Sequence, residues 1–233
     1  MTLLDEGGMS RRTSIVKFGG LVAAALGLGA CKSDSADSAA GPTAVANGAV
    51  KCVLSPELTE GPYYIAGEKV RRNITEGHPG TPLTLHLSVL DVSTCKPIKG
   101  AAVDIWHCDA AGNYSGFGGG APSRTFLRGI QRTNAKGVAT FTTIYPGWYA
   151  GRAVHIHVKV HVGGQVVHTG QLFFSDALTD RAFKRSPYNK RGARDTRNAD
   201  DSIYRNGGSK GLLSMRKHGS GYVGAIAMGV HRS

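Results

Sequence analysis

From Thr81 onward the apolar positions of this chain recur at every second residue. Leu83, Leu85, Leu87 and Val89 alternate with Thr84, His86 and Ser88; Val103 and Ile105 alternate with Asp104 and Trp106; Val138 to Ile144 is rich in Thr and β-branched residues. Ile156, Val158, Val160 and Val162 alternate with His155, His157, Lys159 and His161, and a further run from Val166 to Phe174 follows Gly163-Gly164. Each run predicts a strand with one core face. No long helical repeat is present to supply parallel crossovers, so the pattern predicts a mainly β fold: an antiparallel β-sandwich with long loops and little helix. One short helix is expected from Leu178 to Lys184, opening on Ser175-Asp176. The stretch from Ser186 to Lys217 is polar, Gly-rich and basic, which predicts a long surface loop before a last strand at Tyr222 to Val230.

The first fifty residues follow a different pattern. The one long apolar run, Ile15 to Ala30, is too short and too early for an ordinary spanning helix, and it follows Ser10-Arg11-Arg12-Thr13. This reads as a twin-arginine export leader with Met9 as the natural start. Leu28-Gly29-Ala30-Cys31 has the form of a lipobox in which Cys31 would be acylated and anchor the chain to a membrane; plain cleavage is the alternative. Residues 1–31 are therefore expected to be the leader, residues 32–51 a flexible Ser, Ala, Asp and Gly linker, and residues 52–233 the folded domain. An exported, membrane-anchored lipoprotein meets an oxidising compartment, where Cys52 and Cys95 are expected to pair, stabilising the fold by about 3 to 4 kcal/mol on loop-entropy grounds. Cys108, beside Trp106 on an apolar strand, is expected to be a buried free thiol.

Composition adds less. A 41% hydrophobic content over 233 residues excludes a disordered chain, and the 33 Gly follow no collagen period. The net charge of +12 would by itself suggest an anionic partner. Residues 181–233 hold 12 Lys and Arg against three Asp, so the excess sits in the C-terminal segment, without a nucleic-acid recognition motif. No nucleic-acid partner is expected.

Candidate chemistry lies on the His155-Ile156-His157 strand. Residues two apart share a face about 7 Å apart along the chain, so both imidazoles can converge on one ion. An H-x-H pair alone is weak, and on a solvated sheet face it would be inert, as His161 is expected to be. Its neighbours change the picture. Pro146-Gly147-Trp148-Tyr149 through Arg152 stands just upstream, and Trp106-His107-Cys108-Asp109-Ala110-Ala111-Gly112-Asn113-Tyr114-Ser115-Gly116 further back, each carrying a Tyr in a Gly-rich loop.

With Thr59-Glu60-Gly61-Pro62-Tyr63-Tyr64 and Gly170-Gln171-Leu172-Phe173-Phe174, these segments resemble, in order, the motifs of the intradiol ring-cleavage dioxygenases. The resemblance runs from about Cys52 to Val230 and is strongest to the exported, single-chain branch. It implies a non-haem Fe(III) held by Tyr114, Tyr149, His155 and His157, with Arg152 and Gln171 facing the bound aromatic ring and Tyr149 taking a substrate proton. Tyr63, Tyr64, Tyr145 and Trp148 are expected to line the pocket. Two phenolates are hard anionic donors that favour Fe(III), and two neutral imidazoles complete such a site. The implied reaction opens a catecholic ring between its hydroxyls with O2 to give a cis,cis-muconate-type diacid; catechol, hydroxyquinol and protocatechuate stay open as substrates, and a homodimer is common in the family. Two other readings stand beside it: an H-x-H enzyme using Fe(II) or Zn(II) with a carboxylate such as Asp104 or Glu60, and a non-catalytic exported β-sandwich lipoprotein that only binds.

Overall fold

The computed structural model describes residues 52–117 and 123–232; the leader, Cys31 and the linker lie outside the described residues. Eight strands form among the described residues: β1 (Pro82–Asp91), β2 (Ala102–Trp106), β3 (Arg128–Arg132), β4 (Val138–Ile144), β5 (His155–Val162), β6 (Gln165–Phe173), β7 (Ser214–His218) and β8 (Gly221–Val230). They make two four-stranded sheets, ordered β4-β1-β8-β7 and β3-β2-β5-β6. The alternation fixes which side chains meet between them. Leu83, Leu85, Leu87 and Val89 of β1 face Val103 and Ile105 of β2 and Ile156, Val158 and Val160 of β5 in one buried cluster. Each fully buried side chain of this kind contributes about 1.5–3 kcal/mol.

The sandwich is not wholly antiparallel. β8 runs parallel to β1, in register from Leu83↔Tyr222 to Asp91↔Val230. Parallel neighbours in one sheet need a long connection between them, and the chain beyond β6 supplies its last part. That stretch opens with α1 (Asp176–Ala182), and residues 186–217 are not the surface loop their composition suggests: they hold α2 (Ser202–Arg205), two single 3-10 turns and most of β7. Tyr188, Thr196, Asn198, Asp201 and Leu213 within it are buried. The Tyr188 hydroxyl donates to the Tyr145 carbonyl at 2.6 Å, Asn198 Nδ2 donates to the Phe174 carbonyl at 2.8 Å, and Arg194 and Arg197 pair with Asp176 and Asp180. Polar composition cannot distinguish groups bonded to water from groups bonded to fixed partners. α1 starts where Ser175-Asp176 predicts, the Ser175 side chain accepting from the Leu178 amide.

Cys52 and Cys95 are free thiols, so the expected bridge is not formed. Cys95 sits at an exposed corner with φ 55°, and the Cys52 thiol points at the Asp91 carbonyl, 3.5 Å away. The two are nonetheless neighbours: burial, then Cys95 itself, pushes the Cys52 thiol up to about 11. Cys108 is a buried free thiol, as expected.

Candidate metal centre

The outward face of the β3-β2-β5-β6 sheet builds the site. On β5, His155 lies opposite Phe173, and His157 lies between Trp106 of β2 and Gln171 of β6. Two loops bring tyrosines over this end of the sheet: Tyr114 after β2 and Tyr149 between β4 and β5. The second loop can pack only on a glycine, because a Cβ on Gly147 would stand 2.5 Å from the Asp109 carbonyl and 2.6 Å from that of Ala110. All four side chains come together, as the resemblance implies.

Their polar atoms are arranged for a cation. His155 Nδ1 lies 2.6 Å from the Ala153 carbonyl, so that nitrogen carries the proton and Nε2 presents a lone pair. Nε2 of His155 is 3.0 Å from Nε2 of His157 and 3.1 Å from the Tyr149 hydroxyl. Tyr114 Oη is buried without a hydrogen-bond partner, its ring 5.7 Å from Tyr149 and 6.2 Å from His157. Burial and then the Arg152 charge push His155 down to about 3, against the Ala153 hydrogen bond; burial and then His155 hold His157 well below the usual histidine range. Burial likewise pushes Tyr149 up to about 12, with Arg152 opposing, and Tyr114 well above the usual phenol range. Two neutral imidazoles and two phenols thus converge, with an orphaned buried oxygen, where protons are disfavoured on the rings. A metal ion fits this donor set: it satisfies the lone pairs and lets the phenols ionise.

A chain of hydrogen bonds borders the histidines. Arg152 Nη1 is 3.5 Å from His155 Nε2, Nη2 donates to Gln171 Oε1 at 2.5 Å, and Nε donates to Asp201 Oδ2 at 2.9 Å. Gln171 Nε2 in turn donates to the Thr59 carbonyl at 2.9 Å. Asp201 was not singled out in the sequence; its signal was only that of a helix N-cap before Ser202, in a segment whose polarity suggests solvent.

The entrance segment covers the site from above. Tyr63 stacks on Tyr114 at 4.3 Å and meets Tyr149 edge-on at 6.2 Å, which makes it a site wall as expected. Gly61, with φ 70°, lies so close to His157 that a Cβ would stand 3.1 Å from Cε1. Tyr64 leans on Trp106, which itself stacks on His157 at 4.9 Å, so Tyr64 backs the wall rather than lining it. Trp148 belongs elsewhere: it packs on the main core under the Arg191 guanidinium, 4.3 Å from its ring centre. Tyr145 is a core residue whose hydroxyl bonds Thr179 at 2.8 Å. Arg128, also missed, is buried in β3 and donates to the Tyr63 carbonyl at 2.6 Å and the Ser115 carbonyl at 2.7 Å, tying both loops together. No sequence pattern distinguishes it from a surface charge.

The carboxylates do not join the histidines. Asp104 pairs in register with Lys159, two positions along the sheet from His157, and Glu60 is ion-paired to Lys159. Among the described residues, no group of three or more His, Cys, Asp and Glu side chains forms a metal-binding cluster.

Fold and site together define a β-sandwich with a two-tyrosine, two-histidine cluster on the outer face of one sheet. Residues 59–196, more than half the chain, match the family model described as Dioxygenase. An intradiol ring-cleavage dioxygenase from Tetranychus urticae is 39% identical, with a TM-score of 0.73 over 77% of this chain and 95% of that one. The dioxygenase domain of a dioxygenase carbohydrate-binding fusion from Streptomyces sp. SirexAA-E is 30% identical, with a TM-score of 0.60 over 78% of this chain and all of that domain. Catechol 1,2-dioxygenase 2 of Acinetobacter lwoffii is 32% identical over 56% of this chain and 46% of its own length. The chain belongs to the intradiol ring-cleavage dioxygenase family. It spans less than half the length of the first curated relatives it matches.

Proposed function

We propose that this chain opens a catecholic ring between its two hydroxyls with dioxygen, giving a cis,cis-muconate-type diacid, and that Tyr114, Tyr149, His155 and His157 hold a non-haem Fe(III) for the reaction. The observation that carries the reading is the meeting of the two Nε2 atoms at 3.0 Å beside the Tyr149 hydroxyl, in a member of this family. When bound, ferric iron supplies Lewis acidity and covalency that make a catecholate susceptible to attack by dioxygen. The protein supplies the rest. The Ala153 carbonyl fixes the His155 tautomer, so that Nε2 is the donor atom. Tyr149, less buried than Tyr114, takes a proton at Oη from an incoming catechol hydroxyl. Arg152 holds a positive charge beside the histidines, where it stabilises negative charge developing on the ring, and Gln171 fixes its orientation. Tyr63, Phe117 and Trp106 wall the site with aromatic faces that exclude water.

Oxygen uptake by the iron-loaded protein over a panel of catechol, hydroxyquinol and protocatechuate tests the reading. Consumption of one O2 per ring with a ring-opened diacid product is expected from at least one of them. Iron-replete protein that leaves all three intact would overturn it.

A further inference from the structure

Arg152 reaches the site through a long, flexible side chain, and its usefulness there depends on what holds it. An unrestrained arginine side chain carries about 2 kcal/mol of rotamer entropy. Here two of its three nitrogens are engaged away from the histidines: Nη2 by Gln171 Oε1 and Nε by Asp201 Oδ2. The third, Nη1, is left facing His155 Nε2 at 3.5 Å.

Asp201 is itself immobilised. It is 1% exposed, and both carboxylate oxygens are used twice. Oδ2 accepts from Arg152 Nε at 2.9 Å and from the Ala153 amide at 2.8 Å; Oδ1 accepts from the Ile203 and Tyr204 amides at 2.7 and 3.1 Å. Burial opposes its ionisation, yet the Ala153 amide and the Arg152 charge outweigh burial and hold the carboxyl below its usual range. Ala153 is also the residue whose carbonyl fixes His155 Nδ1. One carboxylate therefore grips both the guanidinium beside the histidines and the residue that sets a histidine's tautomer.

We propose that Asp201 is a positioning residue for the ring-opening reaction, acting through Arg152. It lies beyond the 59–196 region matched by the family, in the C-terminal segment, so that segment supplies part of the site's geometry. The chain of contacts runs from Asp201 through Arg152 and Gln171 to the Thr59 carbonyl, which joins the C-terminal segment to the entrance loop. The inference rests on the reading that Arg152 acts on the ring.

The competing role is an ordinary helix cap. Asp and Asn cap helices about equally well, so Asp201→Asn retains that role while a single acceptor oxygen can no longer serve both α2 and Arg152. The experiment measures steady-state kinetics of Asp201→Asn, Arg152→Gln and the double variant, with Ser202→Gly as a control that weakens α2 without touching the carboxylate. A fall in kcat of about 10- to 100-fold, as typical for lost supporting contacts, is expected for Asp201→Asn, with KM little changed and iron content retained. No further loss is expected when Asp201→Asn is added to Arg152→Gln, and Ser202→Gly should keep wild-type kcat. In iron-free protein, the Arg152 Nε–H should exchange slowly with solvent and lose that protection in Asp201→Asn. Wild-type kcat in Asp201→Asn, additive losses in the double variant, or an equal loss in Ser202→Gly would overturn the inference. An inactive wild type would instead count against the proposed reaction, leaving the exchange result to report the contact alone.

Discussion

The outward faces of the two sheets start from the same alternation and end as different chemistry. On the β4-β1-β8-β7 sheet, Thr84, His86, Thr140 and Thr142 are half-buried, and His86 bonds the Thr140 hydroxyl at 3.3 Å. Burial, then the Arg216 and Arg72 charges, lower its pKa, but among the described residues no second donor meets it. On the β3-β2-β5-β6 sheet, Trp106, His155, His157 and Gln171 are 1–2% exposed, covered by the entrance segment and the two tyrosine loops. Covering is what separates the two. A histidine on an open sheet face satisfies itself with water and neighbours, whereas histidines under a lid must find partners, and here each presents Nε2 to the other.

The sharpest way to break this contrast is to remove one histidine from each face. His157→Ala is expected to lose bound iron and more than about 100-fold of activity, beyond what a lost supporting contact costs. His86→Ala should leave both intact. Metal analysis with oxygen uptake separates the two; iron retained in His157→Ala would show that the pair is not the metal site.

A smaller effect tests the lid. Arg128 is the buried cation that joins the carbonyls of Tyr63 and Ser115, so Arg128→Met leaves both acceptors without their donor. A loss of about 3 kcal/mol in denaturant unfolding is expected. Tyr63 should also come loose from Tyr114, which a fall in near-ultraviolet circular dichroism would record. Unfolding at wild-type denaturant concentration would mean that the loops hold themselves.

A pH effect comes from the part of the same face that carries no donor pair. Burial pushes the Asp104 carboxyl up to about 7 from 3.8, against the Tyr64 hydroxyl and with Glu68 assisting. The folded protein therefore holds a proton that the unfolded chain releases, so stability is greatest below about pH 4 and falls as pH rises to about 7. Other groups add their own slopes, so the test is a difference: Asp104→Asn should be stabilised relative to the wild type increasingly from pH 4 to pH 7. A constant difference over that range would show that the Asp104 carboxyl is not raised by folding.

Strands whose residues alternate cleanly were legible in the sequence: β4 follows the predicted Val138–Ile144, and β1, β2, β5, β6 and β8 differ from expectation only at their ends. β3 and β7 were not, because Arg128-Gly129-Ile130-Gln131-Arg132 and Ser214-Met215-Arg216-Lys217-His218 carry too little apolar signal, and their neighbours in the sheet rather than their own pattern make them strands. The four candidate ligands were legible because two short motifs carry them. Asp201 and Arg128 were not, since a buried charge and a solvated one look alike until the partners are known. Trp148 packs on the core for a related reason: adjacency to Tyr149 in the chain says nothing about which way a loop side chain turns.

The proposed single ferric site of two tyrosines and two histidines is tested most directly by the visible spectrum of iron-reconstituted protein, read beside iron content in the wild type, Tyr149→Phe and Tyr114→Phe. One iron per chain, a red to purple absorption from tyrosinate-to-iron charge transfer, and a shifted or weakened band in each variant are expected. A colourless wild-type protein carrying one iron per chain would contradict the proposal.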